Sequence, residues 1–169
     1  RGMDVRVARL DALVVVGALV SAAAADPIAL PDTRATLDLD LREWTATQTD
    51  PAHGLVAAYR SKTDALAVTR APIPNPDAWR AKTRDAYVDE LERGLAAAVP
   101  EYKRTARTVG DANGVPVVDI EARTKYGTAM FRFLLFRTYS LTLALEPKDL
   151  AHGRAIAHAF TVPPDQPAR

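Results

Sequence analysis

Ala129-Met130-Phe131-Arg132-Phe133-Leu134-Leu135-Phe136 decides how this chain folds. A short, almost wholly apolar run between turn signals reads as a central strand covered on both faces. Arg132 is the one charge inside it. After Arg137-Thr138 the run gives way to Tyr139, Leu141, Leu143 and Leu145, which alternate with smaller or polar residues. Period two marks a further strand with one buried face. Upstream, Val118, Ile120 and Ala122 alternate with Asp119, Glu121 and Arg123, Val117 being the exception, and Tyr126-Gly127 turns the chain into the central run. Before that strand stands Asp111-Ala112-Asn113-Gly114, the strongest turn signal present, because Asn-Gly accepts the positive φ angles of a type I′ hairpin. Residues 102–109 then form a polar edge strand.

The pattern extends toward the N-terminus. Leu37, Leu39 and Leu41 alternate with Thr36, Asp38, Asp40 and Arg42, which predicts a half-buried strand over 36–42, with Trp44 folding over the sheet edge. Residues 54–60 and 65–71 read as a hairpin joined by Ser61-Lys62-Thr63-Asp64. Pro72, Pro74 and Pro76 stop sheet pairing. Asn75 suits a helix cap and Pro76 the first helical position. The helix runs to Val99 and stops at Pro100, with a stripe of Trp79, Thr83, Ala86, Tyr87, Leu91, Leu95 and Val99. Gly94, beside that stripe, implies close approach to a sheet. Pro147 opens a second helix with Leu150, Gly153, Ala157 and Phe160 facing inward, weakened by Gly153. The expected fold class is α+β. An antiparallel sheet of six to seven strands is flanked by two helices, in the order β-β-β-α-β-β-β-β-α. One domain spans 35–162, after a flexible lead-in over 26–34 and before a proline-rich tail over 163–169.

Residues 1–25 read as a secretory signal peptide: Arg1, Arg6 and Arg9, an apolar run, then Ala22 to Ala25 at a cleavage site. The alternative is a retained anchor, but the apolar run over 12–25 is shorter than the ~20 residues a spanning helix needs. The expected location is therefore periplasmic or secreted, with no membrane span once the signal is removed. The 169 residues carry 22 basic and 21 acidic groups. Near-neutrality argues against a nucleic-acid partner. The absence of cysteine excludes disulfide scaffolds, thiolate metal sites and cysteine nucleophiles. Abundant alanine and arginine suggest a GC-rich bacterial genome.

Several further stretches carry a family likeness: Leu39-Asp40-Leu41 followed by Trp44, the hairpin over 54–70, and Asn75-Pro76-Asp77-Ala78-Trp79 opening the helix. The likeness continues through Phe131-Arg132-Phe133-Leu134-Leu135-Phe136, Arg137-Thr138-Tyr139-Ser140-Leu141 and the closing Ala159-Phe160-Thr161-Val162. Over roughly 36–162 the chain resembles the fold group of the photosystem extrinsic protein PsbP, the Ran-binding Mog proteins and the bacterial envelope proteins of the DcrB type. These are packing motifs. The resemblance implies a secreted or envelope module that works mainly by binding. The group shares no catalytic residues and no cofactor, so none is carried over.

The chemistry-bearing residues are sparse. His53 lies in a polar loop, and His152 and His158 stand six apart, unlike the i,i+4 pair that holds zinc on a helix. Asp111 and Asn113 resemble a fragment of a calcium loop but lack its first and last carboxylates. Asp38 and Asp40 share the polar face of an early strand; paired carboxylates can do acid–base work when burial pushes their pKa values apart, but solvation is the plainer account of this pair. No serine sits in a Gly-x-Ser-x-Gly elbow, and there is no phosphate loop or dinucleotide fingerprint. No catalytic residue, metal or cofactor is therefore assigned. Arg132, Arg137 and Tyr139 remain as candidates to bind an anionic group of a partner. The reading is a non-catalytic exported domain that binds a protein partner or envelope component. Alternatives are a small-ligand carrier with a pocket near Trp79, Tyr87 and Phe133, and a small hydrolase using His152 or the Asp38/Asp40 pair.

Overall fold

The computed structural model describes residues 27–73 and 84–164. The signal segment, the helix opening at Asn75-Pro76 with Trp79 and Thr83, and most of the tail lie outside the described residues. Among the described residues ten strands and two α-helices follow in chain order. They are β1 Ile28–Ala29, β2 Thr36–Leu37, β3 Thr45–Ala46, β4 Leu55–Arg60, β5 Ala65–Pro72, α1 Arg84–Ala98, β6 Lys103–Ala112, β7 Val115–Thr124, β8 Gly127–Leu135, β9 Tyr139–Glu146, α2 Leu150–Ala159 and β10 Phe160–Thr161. β3 to β9 form one antiparallel seven-stranded sheet in the order β3-β4-β5-β9-β8-β7-β6. The remaining three pair as a small sheet, β1-β2-β10.

β8 lies inside the sheet between β9 and β7, as its composition requires. Its alternate side chains serve two cores. Ala129, Phe131, Phe133 and Leu135 meet Val118, Ile120 and Ala122 of β7 and Val88 of α1. Met130 and Leu134 point the other way, with Val117, Leu141, Leu143 and Leu145, toward Ile156, Ala157 and Phe160. The sheet is thus the middle layer, with α1 on one face and α2 with the small sheet on the other. Each large apolar side chain buried this way contributes about 1.5–3 kcal/mol relative to exposure.

Connections follow local chemistry. Asn113 (φ 51°) and Gly114 (φ 85°) form the positive-φ hairpin turn joining β6 to β7. The Asn113 side-chain amide donates to the carbonyl of Val162 at 2.7 Å, tying this turn to the end of the described chain. The Asp149 carboxylate caps α2 by accepting the His152 N–H at 2.8 Å.

Four features differ from expectation. The strand over 36–42 is present only as Thr36–Leu37, and Leu41 is 50% exposed. Asp40 ends it: its carboxylate accepts the backbone N–H of Arg42 at 3.0 Å and its carbonyl accepts those of Glu43 and Trp44. This local turn outcompetes the ladder, and Trp44 is buried against the core behind it. The 26–34 lead-in carries β1, which pairs with β2, and Leu30 is buried. Pairing does not stop before Pro72, which faces Tyr139, while the Ile73 N–H donates to the Thr138 carbonyl at 2.9 Å. Proline is tolerated there because β4 pairs no further than Thr69, so no neighbour on that side needs its missing N–H. Finally, the α1 stripe is centred on Val88, Leu91 and Leu95 rather than Ala86, which is exposed.

Candidate functional site

The structure places Arg132, Arg137 and Tyr139 in three different settings. Arg132 lies mid-strand on the α2 face, directly across from Asp119 of β7. It is 8% exposed, and its Nη1 donates to both Asp119 carboxylate oxygens, at 3.0 and 2.8 Å. Burial pushes Asp119 above the usual carboxylate range, outweighing the opposing pull of Arg132 and His158. The Nε of Arg132 is buried without a partner among the described residues. This residue is an internal ion pair, not a contact surface.

Tyr139 opens β9 on the same face. Arg132 is level with Leu143, so about 13 Å of strand separates the two. Tyr139 stacks on Phe136 with ring centroids 4.5 Å apart and planes 18° from parallel. Over the Tyr139 ring lies a residue the sequence did not single out, Arg70 of β5, with its guanidinium carbon 4.4 Å from the centroid. The β5–β9 ladder brings them together by setting Arg70 opposite Leu141. The Arg70 N–H donates to the Gly54 carbonyl at 2.7 Å, fixing its backbone. Arg137, exposed, sits in the adjoining β8–β9 turn. Among the described residues, no ion pair engages Arg70 or Arg137. The candidate contact is therefore Arg70 on the Tyr139–Phe136 stack, with Arg137 in the neighbouring turn. A guanidinium lying on an aromatic stack is suited to a planar oxyanion.

The residues considered for hydrolysis are not gathered. Asp38 and Asp40 are exposed, and hydrogen bonds from Arg42 hold Asp40 down to about 2. His152 meets Asp64 instead, its Nε2 lying 3.4 Å from Oδ2. The hydroxyls of Ser61 and Thr63 donate to that same oxygen, at 3.1 and 2.7 Å. In a serine–histidine pair the hydroxyl gives its proton to the imidazole, whereas here both hydroxyls donate to a carboxylate. Among the described residues no three His, Asp or Glu side chains converge to hold a metal ion. Tyr87 and Phe133 pack into the α1 core, and the hollow beside α1 is a surface groove of about 310 Å³ in which Asp89, Glu92 and Arg104 are already in ion pairs. Arg104 and Glu92 lie 2.6 Å apart there, and burial with Glu92 pushes the Tyr102 hydroxyl up to about 12.

No helix among the described residues is long and apolar enough to cross a membrane. No family model matches the chain, and no curated protein is significantly similar to it. The architecture is similar to the solution structure of cyanobacterial PsbP (CyanoP) from Synechocystis sp. PCC 6803, with a TM-score of 0.54 at 14% identity. That likeness covers 76% of this chain and 86% of the cyanobacterial one. Identity this low speaks for architecture and leaves function to the residues of this chain. Layer order, strand pairing and this likeness agree: the chain has the PsbP-like fold.

Proposed function

We propose that the protein is a non-catalytic binding domain, exported to the periplasm or beyond the cell, that engages an anionic group on a protein partner or envelope component. Arg70, Arg137 and Tyr139 form the contact. One observation carries this reading: the Arg70 guanidinium rests on the Tyr139 ring with no carboxylate beside it among the described residues. A guanidinium held on an aromatic face by about 0.5–1 kcal/mol keeps its N–H edge open. It also loses less freedom when an anion arrives. Arginine and tyrosine are the residue types that dominate binding hot spots. The basic start, apolar run and alanine stretch over 1–25 support export.

The chain, immobilised and exposed to an envelope extract from the source cells, is expected to retain a defined component. The variant Arg70→Glu/Arg137→Glu is expected to retain it at least ~10-fold less, the equivalent of about 1.4 kcal/mol. Equal retention by the two proteins would overturn the assignment.

A further inference from the structure

Far from Tyr139, at the other end of the sheet, three connections converge: the β4–β5 link, the β7–β8 turn and the segment between β9 and α2. They enclose an open cleft of about 510 Å³, within the size range of small-molecule sites. Its floor is fixed by Asp64, 5% exposed, whose Oδ2 takes the Ser61 and Thr63 hydroxyls. Oδ1 accepts the backbone N–H of Lys148 at 2.5 Å, so two segments far apart in sequence share one rigid base.

The rim carries Arg60, Lys62 and Lys148, none in an ion pair among the described residues. Tyr126 lines the same cleft and is 68% exposed. An aromatic ring left in water beside a polar cleft offers an apolar face and a polar tip to a ligand. Glu146 and Thr128 also line it. A bare phosphate or a polyanion would gain nothing from the Glu146 carboxylate, whereas a polyhydroxylated ring donates hydroxyl protons to it. Cations for an oxyanion, a carboxylate and a hydroxyl for alcohol groups, and an aromatic platform for a ring coincide in one cleft.

We propose that this cleft binds a small anionic saccharide, with Arg60, Lys62 and Lys148 on its phosphate or carboxylate and Tyr126 against the sugar ring. The assignment is independent of the Arg70–Tyr139 site and uses different residues.

The test is an amide-resonance titration of the isotopically labelled chain with glucose 6-phosphate, glucuronate, glucose and inorganic phosphate. At least one of the two anionic sugars is expected to shift the amides of 61–64, 126–128, 146 and 148 with saturation. It should bind ~10-fold or more tighter than glucose or phosphate, the step that about 1.4 kcal/mol provides. Which of the two binds identifies the oxyanion. Lys62→Glu/Lys148→Glu should remove the saturation. Tyr126→Ala should bring glucose 6-phosphate down to the level of inorganic phosphate. All these side chains lie on the rim, and native-like spectra of the variants show that the fold is kept. No shift at these amides with either anionic sugar would overturn the assignment. So would equal binding of glucose or of inorganic phosphate. Shifts confined to residues 70 and 136–139 would also overturn it, while leaving the other site standing.

Discussion

Asp64 and Asp119 are both drawn largely out of water, yet their acidities move in opposite directions. Burial raises each. At Asp64 it is outweighed by donors from Thr63, the Lys148 N–H and Ser61, with His152 nearby, and its carboxyl is held below the usual range. At Asp119 the single donor nitrogen of Arg132 does not offset burial. The balance between burial and the hydrogen bonds each carboxylate accepts decides the sign. The pH consequence follows for Asp64. Its folded pKa lies below the unfolded value of about 3.9, so its stabilising contribution is complete above that pH and is lost as pH falls through the folded pKa. Asp64→Asn is expected to lower stability at pH 7 by about 1–3 kcal/mol, the cost of disrupting a buried hydrogen-bonded group. Below about pH 4 its deficit relative to wild type should shrink. Urea unfolding at pH 7, 5 and 3 measures both, and a deficit that stayed constant with pH would contradict the role given to the carboxylate.

Two glycines in the helices make the same kind of contrast one level up. A Cβ on Gly153 of α2 would lie 2.6 Å from the Met130 sulfur and 2.8 and 2.9 Å from the Pro147 ring. The methionine can give way, but the proline ring is stiff. Overpacking costs about 1–3 kcal/mol, and the gain in helix propensity of about 1 kcal/mol offsets part of it. Gly153→Ala should therefore lower stability. Around Gly94 of α1 nothing lies within 4 Å of such an atom. The close approach expected there is absent, and Gly94→Ala should raise stability by about 0.5–1 kcal/mol. Urea midpoints of the two variants should move in opposite directions.

The same elements show what a reader of the sequence can see. β6 to β9 were legible because alternation, the Asn113-Gly114 turn and the almost wholly apolar β8 each point to one structure. The small β1-β2-β10 sheet was not, since strands of two residues leave no period to detect. Leu37 and Leu39 alternate correctly and are buried, yet the Asp40 turn removes Leu41 from the pattern. At the site, Tyr139 and Arg137 were visible as polar punctuation between two apolar strands. Arg132 looked similar, and only the β7–β8 register revealed Asp119 facing it. Arg70 could not be recognised, because its neighbour Tyr139 comes from a strand distant in sequence and the β5–β9 pairing brings them together.

At the scale of the molecule, the sheet serves as a plate between two cores. α1 covers one face, while α2 and the small sheet cover the other. At the two ends of the strands, loops among the described residues carry side chains without disturbing either core. The Arg70–Tyr139 stack lies at one end and the Lys62–Lys148 cleft at the other. On the function proposed above, the domain binds with its ends and the helices shield the two cores. Hydrogen–deuterium exchange of the chain alone and with its captured envelope component tests this most directly. Added protection is expected at residues 70, 71 and 136–139, with α1 unchanged. Protection concentrated on the outer face of α1, with the 136–139 turn exchanging as before, would contradict the account.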